Sequence, residues 1–170
     1  AEAGDAEAQY TAAMMAMEGA VGLPDFDAAV KWLQKAAETG HPGALYELGI
    51  CRLNGEGMQP DAIDAVHLLE SAADRGNVDA MLTLASIWRG AKGVPADPKK
   101  VFAWYKRAAD AGSAYGWMHV GICAFNGEGT PTDRTYAMEC VKTAERLGCS
   151  DAKMLYRRME RYLEENRDAE

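Results

Sequence analysis

Proline is scarce in this chain, six residues in 170, and no low-complexity tract interrupts it. With no linker composition in view, the length suits one domain with a sizeable core. Clusters of Lys and Arg are missing as well. The net charge of −8 and the lack of a basic patch exclude nucleic acid as a partner, because phosphate binding needs such patches. Long apolar runs are absent too: Gly and polar residues break every one, so direct membrane insertion is excluded. No Ser-centred elbow is present. The "GEG" triplets end helices where a phosphate-cradling loop would follow a strand. No catalytic residue and no cofactor are therefore expected. What remains is the composition of an ordinary soluble protein, 48% hydrophobic and 26% charged, with 17 glycines placed very regularly.

Gly40, Gly76, Gly112 and Gly148 stand 36 residues apart, and Gly4 extends the series backward. Asp25, Asp61, Asp97 and Asp133 keep the same period, as do Ala36, Ala72, Ala108 and Ala144. Trp32, Leu68, Trp104 and Cys140 fall in register. Many columns in phase mean stacked units, each too small to bury its own apolar face. Four units are expected, at about residues 5–40, 41–76, 77–112 and 113–148, followed by a capping helix at about 149–168 in one domain spanning 1–170.

Each unit reads as two helices. The first opens on a capping residue (Asp5, Asn77 or Ser113) or on His41 with Pro42 at the first helical position. Ala44, Leu45, Leu48 and Cys51 then recur at helical spacing. The helix stops at "NGEG", Asn54–Gly57 and again Asn126–Gly129, where Gly permits positive φ. The second helix opens at the Asp column, as in "ADPKK". Small residues such as Ala44, Gly49, Ala65, Ala72 and Ala73 let helix axes approach toward the lower end of ~8–10 Å.

The run "GALYELGICRLNGEGMQPDAIDAVHLLESAADRG", Gly43–Gly76, resembles the Sel-one-like repeat, an α/α relative of the tetratricopeptide repeat. "FDAAVKWLQKAAETG", "DPKKVFAWYKRAADAG" and "VGICAFNGEG" carry the resemblance through the other units. It implies an all-α fold, a right-handed superhelical solenoid of helix-turn-helix repeats. Two departures stand out. The family's usual first-helix Tyr is replaced by Arg52, Trp88 and Ala124. The columns that hold stapling cysteines in a cysteine-rich branch of the family hold Glu145 and Ala152 in the last unit. The staples, and the penicillin-binding activity suggested for that branch, are not carried over. "AEAG" at the start matches the helix tail "AETG" and opens without Met or a signal-peptide pattern, as an excised piece of a longer protein would. Arg157 replaces Gly49 and Gly121 in its column, so the last helix is expected to act as a solubilising cap.

The four cysteines read as small buried hydrophobes. Cys51 and Cys123 lie two units apart, and Cys140 and Cys149 nine residues apart, both beyond the ~7 Å bridging limit. His119 and Cys123 share a helix face at i and i+4, but no third ligand converges, so no metal is expected. His41 and His67 have no acid or nucleophile recognisably beside them.

Plotted at 100° per residue, Ala44, Leu48 and Cys51 form one stripe of the first helix, and Tyr46, Ile50 and Leu53 another nearly opposite. A helix apolar on two faces buries both or offers one to a partner. The resemblance implies that the second stripe lines a concave groove of Tyr10, Met14, Met17, Tyr46, Ile50, Leu53, Leu82, Arg89, Tyr115, Met118, Ile122 and Phe125. Asn54 and Asn126 would hydrogen-bond a peptide backbone there. The stripe packing against neighbouring helices is the competing reading. The expected function is a non-enzymatic, monomeric module that holds a peptide, helix or loop of another protein. It would serve as scaffold or adaptor in a bacterial envelope, periplasmic, cytoplasmic or signalling assembly. The alternatives are an immunity protein plugging a toxin, a structural spacer within a longer solenoid and, less favoured, a ligand-binding enzyme like the cysteine-rich branch.

Overall fold

The computed structural model describes residues 5–19 and 22–166, and among them the chain forms nine helices and no strand. The opening "AEAG", on which the expected upstream unit rests, lies outside the described residues, as do residues 167–170. The chain divides into two compact units, Ala1–Val94 and Pro95–Glu170, with the division inside the third repeat. The first holds α1 (Ala6–Glu18), α2 (Phe26–Glu38), α3 (Pro42–Asn54), α4 (Ala62–Asp74) and α5 (Val78–Ile87). The second holds α6 (Pro98–Asp110), α7 (Ala114–Asn126), α8 (Arg134–Arg146) and α9 (Ser150–Glu165).

The glycine and alanine columns are two ends of one motif. Gly40, Gly76, Gly112 and Gly148 all have φ between 81° and 93°, a backbone only glycine adopts freely. Each donates its N–H back into the helix, Gly40 to the Ala37 carbonyl at 2.8 Å and Gly112 to Ala109 at 2.9 Å. The next residue donates to the periodic alanine: His41 to Ala36, Asn77 to Ala72, Ser113 to Ala108 and Cys149 to Ala144, at 2.9–3.2 Å. This pair of bonds satisfies carbonyls that the helix end would leave open. The alanines are themselves fully buried, so the column is fixed by packing and by the cap together.

The same next residue then caps the following helix. His41 Nδ1 accepts from the Ala44 N–H at 3.1 Å, Asn77 Oδ1 from Ala80 at 2.8 Å and Ser113 Oγ from Gly116 at 3.0 Å. Cys149 occupies that place ahead of α9 without a side-chain cap bond. The aspartates at 25, 61, 97 and 133 cap the second helices, each contributing about 1 kcal/mol.

Packing in the N-terminal unit centres on Ala13, Val30, Leu33, Ala36, Ala44, Leu48 and Cys51. Leu33 and Leu69 are completely buried, worth about 1.5–3 kcal/mol each. Gly49 marks the α3–α4 crossing: a Cβ there would stand 2.9 Å from Leu69 Cγ. In the C-terminal unit Gly121 does the same at α7–α8, 2.7 Å from Val141 Cγ2. Ala152 and Met159 of α9 join the core cluster of Met118, Val141 and Ala144, while Arg157 is exposed. All four cysteines are free; Cys51, Cys123 and Cys140 are buried and Cys149 half-buried.

The third repeat departs from its siblings. Its first helix, α5, has 10 residues where α1, α3 and α7 have 13. It lacks the "NGEG" stop and ends instead with Trp88 as a right-handed cap, followed by Lys92 at φ 55°.

Candidate partner-binding surface

In the N-terminal unit α1, α3 and α5 carry the expected stripe. Tyr10, Met14, Met17, Tyr46, Ile50, Leu53 and Leu82 are all half-buried. Tyr10 and Met17 also touch the core cluster. Tyr10 leans across to α3, its ring stacked on His41 at 4.8 Å between centroids. It is so close to Gly43 that a Cβ there would lie 3.0 Å from Tyr10 Cζ. His41 Nε2 bonds Glu7 Oε2 at 2.9 Å. No acid is recognisable beside His41 along the chain; the fold supplies one from the preceding first helix, 34 positions away.

Two expected groove members are placed differently. Arg89 lies beyond the end of α5 at Ile87, so the helical register does not set its direction. Asn54 is engaged within the chain, donating to Glu56 Oε1 at 3.3 Å and accepting from Lys92 Nζ at 3.2 Å. Arg52, in the column of the family's tyrosine, bonds Asp64 Oδ2 at 2.5 Å and the Gln59 carbonyl at 3.1 Å. It thereby ties α3 to the start of α4.

In the C-terminal unit the stripe meets the last helix. Met118 is buried in the core cluster, and Ile122 and Phe125 pack on it. Phe125 meets Tyr162 of α9 edge-on at 5.5 Å, with the Arg134 guanidinium within 6 Å of both rings. Tyr115 stays exposed and tilts against His119 at 4.4 Å. Asn126 donates to Glu128 Oε1 at 3.1 Å. The His119 ring stacks flat on Tyr105 at 4.4 Å, filling one face of the imidazole with an aromatic ring. No group of three or more His, Cys, Asp or Glu that could hold a metal occurs among the described residues.

Electrostatics single out residues that periodicity passed over. Burial raises the pKa of Glu47, and the charges of Asp79 and Glu56 raise it further. Burial likewise raises Tyr10 and Tyr46; Glu47 and Asp79 add to both shifts. Tyr46 also hydrogen-bonds Thr83. The thiol of Cys51 is pushed up to about 11, by burial first and then by Glu56 and Glu47. A usable signal was present in the sequence: Tyr10 precedes Glu47 by 37 positions, and Tyr46 precedes Thr83 by the same interval.

The Sel1 repeat model matches residues 6–41, 42–77, 78–113 and 118–149, which is most of the chain. The chain belongs to the Sel1 repeat family. Its units are phased one residue later than the glycine column alone suggests. Among solved structures, a Sel1 repeat protein from Oxalobacter formigenes is 24% identical with a TM-score of 0.80, over 89% of this chain and 62% of that one. The c5321 protein of uropathogenic Escherichia coli, a protective antigen with the same repeat fold, is 31% identical with a TM-score of 0.78, over 85% of this chain and 31% of that one. Helicobacter pylori cysteine rich protein B is 23% identical with a TM-score of 0.57, over 74% of this chain and 96% of that one. This Sel1 chain thus spans less than two thirds of the first two relatives, and its four cysteines are unbridged. No curated protein sequence matches it. Sel1 repeat proteins are generally non-catalytic protein-interaction modules. No helix among the described residues is long and apolar enough to cross a membrane.

Proposed function

We propose that this chain is an adaptor or scaffold that docks a peptide, helix or loop of a partner protein on the first-helix face of its N-terminal unit. One observation carries the reading: Tyr46, Ile50, Leu53 and Leu82 are half-exposed, on helices whose opposite faces are buried in the core. A helix that has filled its core face gains nothing internally from a second apolar stripe, whereas a partner can use it. Tyr and Met suit such a surface because they offer adaptable contact area at low ordering cost. In the C-terminal unit part of the equivalent stripe is covered: Met118 is buried with Ala152 and Met159 of α9, and Ile122 and Phe125 pack on that cluster, while Tyr115 stays exposed. The test is a binding scan with the partner recovered from the native cell. Ile50→Ala and Leu53→Ala should each weaken binding about tenfold or more while the protein melts as before. Unchanged affinity in both variants would remove the reading.

A further inference from the structure

Around Glu47 the docking face changes character. Its carboxylate is half-buried and makes no ion pair or hydrogen bond among the described residues. The charges it feels most are those of other acids, Asp79 on α5 and Glu56 after α3. Tyr10 reaches α3 one turn before Glu47, where a Cβ on Gly43 would stand 3.0 Å from Tyr10 Cζ, and Tyr46 adjoins Glu47 in the chain; the charges of Glu47 and Asp79 act on both phenols. Lys92, after α5, donates to Asn54 Oδ1 at 3.2 Å. A carboxylate partly withdrawn from water and set among like charges is costly unless something brings a counter-charge. The rings of Tyr46 and of Tyr10, whose other face is stacked on His41, add a surface that attracts cations.

We infer that the partner segment presents a lysine or arginine side chain to Glu47, against the rings of Tyr10 and Tyr46, with apolar residues flanking it on Ile50 and Leu53. This rests on the docking reading above and names the chemistry of its occupant. The basic side chain neutralises the cluster, and its aliphatic stem covers the tyrosines. The apolar neighbours supply the buried area. Charge complementarity also steers a basic segment toward a chain of net charge −8.

A displayed library of random 12-residue peptides, selected on the full chain, tests this. The expected result is a family of peptides with Lys or Arg at a fixed distance from apolar residues. A labelled member should bind Glu47→Gln at least tenfold more weakly than the parent, and Ile50→Ala more weakly too. Replacing its arginine by citrulline should cost about the same on the parent and nothing further on Glu47→Gln. Gln keeps the size of Glu, and a thermal melt of Glu47→Gln verifies the fold. Apolar peptides that ignore Glu47→Gln but lose affinity to Ile50→Ala would overturn the inference and leave the docking face standing. Basic peptides that ignore Glu47→Gln would overturn it as mere attraction to an acidic chain. No selected peptide at all, or none sensitive to Ile50→Ala, would remove both the inference and the docking reading.

Discussion

A Cβ on Gly57 would stand 2.5 Å from the carbonyl oxygen of Phe26. The "NGEG" loop after α3 is therefore pressed onto the start of α2, and its second glycine has φ 66°. Gly57→Ala should lose both the left-handed backbone, about 1–2 kcal/mol, and the close approach. Gly76→Ala is the control, with φ 86° but nothing within 4 Å of a Cβ. Thermal melts should show Gly57→Ala falling by several degrees more than Gly76→Ala. Equal falls would mean that the loop does not rest on α2.

Ile50 and Phe125 stand in neighbouring places of the same stripe two repeats apart, and they should behave differently. Phe125 packs on the core cluster and on Tyr162, so Phe125→Ala should cost stability, below the about 3–5 kcal/mol of a fully buried Phe because Phe125 is half-buried. Ile50→Ala, on the half-exposed face, should melt close to the parent. Chemical denaturation of both variants measures the gap, and a comparable loss at Ile50 would make the whole stripe core.

Glu47 sets a pH dependence whose sign follows from its raised pKa. The folded state holds the proton more tightly than the unfolded chain, so this group favours folding at acid pH. Its contribution is lost as pH rises through the folded-state pKa. Glu47→Gln, neutral throughout, should therefore melt at or above the parent at pH 7 and show less of this decline. Melting curves from pH 4 to 7 check it, and a variant less stable than the parent at pH 7 would contradict the cause assigned to the shift.

The thiols should react in a set order. Cys149 is half-buried whereas Cys51, Cys123 and Cys140 are buried. A Cys51 pKa of about 11 leaves only about one thiol in a thousand ionised at pH 8. Timed alkylation of the native protein, read by mass spectrometry, should modify Cys149 first and Cys51 slowly. Denaturation without a reductant should then expose all four.

The helix pairs were legible because their causes are local. An aspartate before a helix and a glycine after it act within five residues, so the 36-residue period carries them intact. The stripe on α3 was legible too, as was its ambiguity, since angular position tells which residues share a face and not what covers it. Met118 shows the limit. Its column matches Tyr46 and Leu82, yet α9 folds over it, and that depends on Ala152 and Met159 some 30–40 positions on. His41 shows another, because its carboxylate partner Glu7 belongs to the previous repeat. Glu47 stayed hidden for a related reason: it borders the stripe as one acid among many, and only the neighbouring helices show what charge surrounds it. Arg89 was misplaced in register because α5 stops a turn early, where the third repeat reads "GAKG" (Gly90–Gly93) in place of "NGEG".

The joints between repeats have a consequence for how such a chain can change length. The residue after each periodic glycine closes one helix with its N–H and, at His41, Asn77 and Ser113, opens the next with its side chain. No spare residue separates the two duties. A single insertion at that point would uncouple the end of one helix from the start of another, so gains and losses there are confined to whole 36-residue blocks. The turn inside a repeat carries no such double duty, and the third repeat already runs a different sequence through it. Tolerance to insertion should therefore alternate along the chain, high between the helices of a pair and low between pairs, and duplication of entire blocks is the route by which a chain of this kind grows.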